Sequence, residues 1–163
     1  MRKIKIRYTN TRNLPKGRRF VTRYDLPCNI AQTLNIIGDR WTMLILHELL
    51  IGTENFNEIK QKLPGLSSNV LSARLKALEE AELVTSQLYS AHPPRYSYRL
   101  TKAGEQLEHV FNAMAIWGSE YLNPCFKEVV DATTDEAVEI VYRTKESGAI
   151  TEDLVIRAIE RQP

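Results

Sequence analysis

Residues 64–83 read PGLSSNVLSARLKALEEAEL, and residues 84–100 continue VTSQLYSAHPPRYSYRL. Pro64-Gly65 forces a turn. Ser67 follows as an N-cap, its hydroxyl available to the free backbone N–H groups of a first helical turn. Leu71, Leu75 and Leu78 then recur on one face of a helix over about 67–81. After Leu83 the period changes from helical to alternating, so Val84 to Tyr89 and Tyr96 to Leu100 read as two strands. Ser90-Ala91-His92-Pro93-Pro94-Arg95 lies between them, too long and too proline-rich for a two-residue turn, and predicts a projecting hairpin tip.

Working outward toward the N-terminus, Phe56 to Leu63 forms a short helix. Before it, Asp39 offers an N-cap for a helix through Trp41, Leu44, Ile45 and Leu49, ended by Gly52. An earlier helix starts near Cys28, with Ile30, Leu34 and Ile37 at helical spacing and Gly38 as its stop. Toward the C-terminus, Thr101 caps a helix containing Leu107, Val110, Phe111, Met114 and Trp117, broken by Pro124. Thr133 and Glu136 have capping-box spacing and predict a further helix from about Asp135 to Ser147, closed by Gly148; Thr151 predicts a last one over Glu152 to Arg161.

The chain is thus mainly α with a small β-hairpin, and the order is that of a winged helix-turn-helix with helices added at the C-terminus. A helix fits the major groove of B-DNA, the preceding helix braces it across the backbone, and the hairpin reaches the flank. Steps of about 100° put Leu71, Leu75 and Leu78 on one side of residues 67–81. Asn69, Val70, Ala73, Lys76 and Ala77 fall opposite, with Ser72 and Arg74 on the flanks. Ser68, Asn69, Val70, Ser72 and Ala73 are short enough for close backbone approach to base edges. Asn69 pairs with adenine, Arg74 reaches guanine or phosphate, Lys76 binds phosphate, and Arg95 at the wing contacts the minor groove or the backbone. Read by its period alone, the same helix is an ordinary amphipathic one with a solvated face.

The chain has 163 residues, 43% hydrophobic and 26% charged, which excludes global disorder and collagen. Apolar runs are only a few residues long, too short to span a bilayer, and no apolar stretch follows the basic N-terminus to make a signal peptide. The net charge of +2 hides an asymmetry. Residues 1–27 carry +8, residues 28–127 carry −1 and residues 128–163 carry −5. A basic arm (1–27), a central domain (28–123) and an acidic extension (124–163) follow. The arm suits a polyanionic partner or serves as a solvated leader. Its Ile4, Ile6 and Tyr8 alternate as in a strand, which docks on a protein edge or orders on DNA.

Residues 28 to about 118 resemble the HxlR-type winged-helix transcriptional regulators, relatives of the MarR group. The likeness runs through Cys28, Gly38-Asp39-Arg40-Trp41, Phe56-Asn57-Glu58-Ile59, Leu63-Pro64-Gly65-Leu66-Ser67, Leu75-Lys76-Ala77-Leu78-Glu79 and Leu83-Val84. Its most specific stretch is Pro93 to Gly104. The resemblance implies a cytoplasmic homodimeric regulator of transcription that binds double-stranded DNA. It also implies a dimer interface made by the N-terminal helix and the helix after the wing. Some relatives sense oxidants or electrophiles through a cysteine near the position of Cys28. Two departures stand out. Asn29 follows Cys28 where proline is common, and Glu82 stands where glycine usually precedes the wing, at a cost of roughly 1 kcal/mol if its backbone is left-handed.

Cys28 and Cys125, the only cysteines, make a redox pair across a dimer or two unrelated thiols, one of them a small buried hydrophobe. His47, His92 and His109 are scattered, and no cluster has metal-ligand spacing. Trp41 and Trp117 suit core or dimer packing, or the wall of a ligand pocket. No phosphate loop, nucleophile elbow or paired-carboxylate motif is present, so neither an enzyme nor a cofactor is expected. A protein-interaction module on the same scaffold is the rival reading to a DNA-binding regulator.

Overall fold

Three polar side chains set where helices begin. The Asp39 carboxylate accepts the Trp41 and Thr42 N–H groups, the Ser67 hydroxyl accepts that of Val70, and the Thr101 hydroxyl that of Gly104. Each satisfies donors that a helix start leaves without an internal partner. The computed structural model describes residues 24–156 and the backbone of Lys5–Ile6. In chain order the elements are β1 (Lys5–Ile6), α1 (Asn29–Ile37), α2 (Arg40–Leu50), α3 (Phe56–Lys62) and α4 (Ser68–Glu80). The wing follows as β2 (Val84–Ala91) and β3 (Pro94–Leu100), then α5 (Lys102–Glu105) and α6 (Glu108–Tyr121). Three short strands follow among the described residues: β4 (Tyr142–Arg143), β5 (Ile150–Thr151) and β6 (Val155–Ile156).

The core is a cluster of Ile37, Ile45, Leu46, Leu49, Ile59, Leu63, Leu66, Leu71, Leu75, Leu78 and Val84. It joins α2, α3 and α4 to the first residue of the wing. Leu71, Leu75 and Leu78 are buried, so the predicted stripe of α4 is its packed face. Gly65 makes the turn into α4 at φ +88, a conformation that costs glycine little. Helix α4 ends in a Schellman motif: the Leu83 N–H donates to the Leu78 carbonyl at 3.0 Å and the Glu82 N–H to Glu79 at 2.9 Å. Glu82 takes the left-handed position at φ 59.

The hairpin is longer and its tip tighter than expected. Ala91 pairs with Pro94, so His92 and Pro93 alone connect the strands. A register shift between Leu88 and Ser90 absorbs one residue, Tyr89, and lets β2 continue past it. Pro94 stands first in β3, where its missing N–H is tolerated. The wing base is pinned by the loop before α3. Tyr98 N–H donates to the Glu54 carbonyl at 2.8 Å, Asn55 bridges Ser97, and the Arg99 guanidinium grips the Glu54 carboxylate at 2.9 and 3.2 Å.

Three C-terminal expectations change. The helix capped by Thr101 is two helices, because the chain tightens after α5: the Leu107 N–H reaches back only to Gly104. At Gly104 a side chain would stand 2.2 Å from the Leu83 carbonyl, so glycine is what lets α5 lie against the wing base. The helix expected over 135–147 does not form. The Asp131 carboxylate accepts the Thr133 and Thr134 N–H groups at 2.9 Å each, and Asp135 is left-handed at φ 58. That local turn takes the Thr133 N–H, and the Thr134 hydroxyl takes the Glu136 N–H, the donors a capping box would use. The apolar residues beyond it include β-branched Val138, Ile140 and Val141, which suit extended chain. Tyr142–Arg143 pairs antiparallel with Ile150–Thr151 instead. The last predicted helix is replaced over Glu152–Ile156 by irregular chain and β6; its remainder lies outside the described residues. β6 pairs in parallel with β1. No helix among the described residues is long and apolar enough to cross a membrane.

Candidate nucleic-acid interface

Because α4 buries its leucines, its opposite face is presented to solvent. Ser68, Asn69, Ser72, Ala73 and Lys76 are exposed, and Val70 and Arg74 are half-buried at the margins. The first two turns thus offer one amide, two hydroxyls and a methyl group, with no long side chain to hold a base edge away. Lys76 stands 4.0 Å from Glu80 one turn on, a solvated pair of little energetic weight.

Arg74 differs from the sequence reading. Its Nη2 donates to Asp39 Oδ2 at 3.2 Å. Its Nε lies 3.0 Å from Oδ1 but off the N–H axis, a coulombic contact rather than a directed bond. The carboxylate it holds is the cap of α2, and the pair braces α4 against α2. Partial burial pushes the Asp39 carboxyl up. The Thr42 N–H, the Arg74 charge and the Trp41 N–H outweigh that and hold it below its usual value. The neighbouring Arg40 is exposed, with its guanidinium carbon 4.6 Å from the centre of the Trp41 ring. It is a basic group at the start of α2 that the sequence reading passed over.

Arg95 is exposed one residue from the tip. The sequence reading also missed its neighbours. Leu88 and Tyr96 are cross-strand partners, and both are exposed together with Tyr89. The signal was present in the alternation of residues 96–100, since Tyr98 and Leu100 pack on the core while Tyr96, on the same face, lies beyond it.

A second surface lies on α1 and α6. Ile30 and Leu34 on α1, and Val110, Met114, Trp117 and Tyr121 on α6, are exposed apolar groups. Trp117 stacks on Tyr121 at 5.6 Å, and its 57% exposure rules out a core role within one chain. Trp41, in contrast, is partly buried against the core. Between the end of α2, β3 and α6 runs an open groove of about 660 Å³, lined by His47, Glu54, Tyr98, Arg99, Glu108 and Phe111 among others.

Cys28 occupies the N-cap of α1, half-buried, and its side chain makes no capping bond. Cys125 is exposed beyond α6, its thiol 3.5 Å from the Lys127 carbonyl. Neither is in a disulfide. Among the described residues no group of three His, Cys, Asp or Glu side chains is placed to hold a metal ion.

The family model for the HxlR-like helix-turn-helix matches residues 36–126. An uncharacterized HTH-type transcriptional regulator of Mycobacterium tuberculosis is 38% identical over 94 residues, 58% of this chain and 59% of its own length. The match therefore spans less than two thirds of that relative. The HTH-type transcriptional regulator YodB of Bacillus subtilis is 37% identical over 95 residues, 58% of this chain and 85% of its own. The solved reduced form of YodB superimposes with a TM-score of 0.51 at 34% identity, covering 61% of this chain and 98% of that one. The redox regulator HypR in its oxidized form superimposes with a TM-score of 0.54 at 29% identity, covering 59% and 98%.

Proposed function

The chain belongs to the HxlR-like helix-turn-helix family, and from the site it carries we propose that it is a sequence-specific DNA-binding regulator of transcription acting as a homodimer. The observation that carries this reading is the division of α4. Leu71, Leu75 and Leu78 are buried, while Ser68, Asn69, Ser72, Ala73 and Lys76 face solvent. A helix so divided is held rigidly from behind and offers a short polar surface to the major groove. In this reading Asn69 and Ser72 contact base edges, with Ser68, Val70 and Ala73 packed against the groove wall. Lys76 holds a phosphate, and Arg95 a phosphate or the flanking minor groove. Arg74 acts from its pair with Asp39, chiefly by fixing the angle between α2 and α4.

The exposed apolar faces of α1 and α6 support pairing of two copies through those helices, which spaces two recognition helices for a two-fold DNA site. The thiol at the start of α1 supports a redox or electrophile response, in keeping with YodB solved in a reduced form and HypR named a redox regulator. The groove beside His47 and Phe111 is a place for a small effector. The reading assigns a cytoplasmic protein without enzymatic activity.

The test is binding of purified protein to genomic fragments over a range of salt. A regulator enriches particular sequences, and its log K falls linearly with log salt. Binding to no DNA at any salt would overturn the reading in favour of a protein-interaction module.

A further inference from the structure

The groove between the end of α2, β3 and the start of α6 holds about 660 Å³. That is within the range of roughly 300–1,000 Å³ common to small-molecule sites. Its sides belong to different parts of the molecule. His47 and Glu54 come from α2 and the loop after it, Tyr98 and Arg99 from the base of the wing, and Phe111 from α6. Rings meet across it: His47 and Phe111 stand 5.9 Å apart between centres, and Tyr98 lines the β3 side. All three are half-buried. The charges of the lining are unequal. Three carboxylates, Glu54, Glu105 and Glu108, stand against one guanidinium, Arg99, a balance of −2 with His47 neutral. Arg99 is already engaged, 2.9 Å from Glu54. The side chains of Glu105 and Glu108 enter no hydrogen bond or ion pair among the described residues. An anion placed here meets two uncompensated carboxylates, whereas a cation gains from both and from the rings beside them.

We propose that this groove binds a bulky aromatic organic cation, and that its occupancy loosens the wing. The inference deepens the effector reading given above and rests on it. The positive charge is held by Glu105 and Glu108, and the apolar bulk lies against His47, Tyr98 and Phe111. A cation in the groove also competes with Arg99 for the Glu54 carboxylate, the contact that pins the wing base to the loop before α3. Weakening that grip frees the wing that presents Arg95, so the occupied protein holds DNA less tightly. By linkage, DNA lowers the affinity for the cation by the same factor.

The experiment is calorimetric titration of the full chain with tetraphenylphosphonium chloride and, in parallel, with sodium tetraphenylborate. The two organic ions have nearly the same shape and opposite charge, so their difference reports the sign of the groove. Tetraphenylphosphonium should bind at least about tenfold more tightly. Glu105→Gln with Glu108→Gln should lower its affinity by about tenfold. Phe111→Leu, which keeps bulk against the core, should lower it several-fold. In gel shifts the phosphonium should weaken DNA binding by the parent and leave that of the Glu105→Gln, Glu108→Gln variant unchanged at the same concentration. No binding of the phosphonium, equal binding of both ions, or an affinity indifferent to the two glutamates would overturn the site. Binding that depends on the glutamates but leaves DNA affinity untouched would overturn the coupling to the wing. Binding that depends on them while no DNA sequence is enriched would sustain the site and remove the DNA reading instead.

Discussion

Arg74 on α4 and Asp39 at the start of α2 face each other at 3.0 Å across the helix-turn-helix, and the same carboxylate caps α2 through the Trp41 and Thr42 N–H groups. One side chain thereby fixes a helix start and the angle of its neighbour. Asp39→Ala removes both and should lower stability by about 1–2 kcal/mol, most of it the lost cap. Arg74→Ala leaves the cap intact. Both partners are about one-third exposed, so that variant should lose no more than about 1 kcal/mol. Thermal or urea unfolding of the two variants gives the order directly.

The same carboxylate sets an acid limb. Its pKa is lowered in the folded chain, so the unfolded chain binds a proton more readily. The resulting stabilisation is present above the unfolded value, about pH 4, and is lost as pH falls through the folded value. Asp39→Asn should be less stable than the parent at pH 7, and the gap should narrow as pH falls below the ordinary carboxylate range. A gap that stays constant with pH would show that the Asp39 charge contributes nothing.

In the proposed DNA-binding reading the exposed groups of α4 divide into readers and holders. Asn69→Ala should cost about 1–3 kcal/mol of discrimination at one base pair and leave random-sequence binding alone. Lys76→Ala should weaken all sequences alike and reduce the salt slope by about one unit. Arg95→Ala should do the same if Arg95 holds phosphate, and lower only the preference for A·T-rich flanks if it enters the minor groove. Gel-shift competition at two salt concentrations separates these outcomes.

Glu82 holds a left-handed backbone at φ 59 as the residue that closes the Schellman motif before the wing. Glycine adopts that conformation without the Cβ penalty. Glu82→Gly should therefore raise stability by up to about 1 kcal/mol with no change in DNA affinity, read as a shift in the unfolding midpoint.

The helical half of the fold was legible because its signals are local and unopposed. Asp39, Ser67 and Thr101 are caps in the sequence and caps in the structure, and the 71/75/78 stripe is the buried face of α4. The tail misled for an equally local reason. Thr133 and Glu136 have the spacing of a capping box, but Asp131 takes the Thr133 N–H, the Thr134 hydroxyl takes the Glu136 N–H, and the chain turns back on itself. The Arg74–Asp39 pair and the grip of Arg99 on Glu54 span 35 and 45 residues, and no period or spacing reveals such contacts. They decide which charges in the site are free to meet a ligand.

If two copies pair as proposed, the apolar faces of α1 and α6 are what holds them together. Trp117 and Met114 are more than half exposed in the single chain, too much apolar surface for a helix with no partner. Trp117→Glu should convert the dimer to monomer in sedimentation and leave the helical circular dichroism signal unchanged, since the core does not include it. DNA affinity should fall with it, because a monomer engages only half of a two-fold site.

The thiols give a last prediction. Cys28 begins α1, the helix that carries Ile30 and Leu34 on the exposed apolar face, so adding bulk or charge to its sulfur should alter the seat of the proposed dimer interface. Cys125, exposed beyond α6, is the only other thiol in the chain. Treatment with a quinone or peroxide should reduce DNA affinity in the parent protein, and Cys28→Ser should abolish the response. The role of Cys125 follows from the species formed. If oxidation joins Cys28 of one copy to Cys125 of the other, non-reducing electrophoresis shows a covalent dimer and Cys125→Ser is also insensitive to peroxide. If Cys28 forms a sulfenic acid or a quinone adduct by itself, Cys125→Ser responds as the parent does and the chain stays at monomer mass. A parent protein whose DNA binding ignores both reagents would return Cys28 to the role of a small packing residue at a helix start.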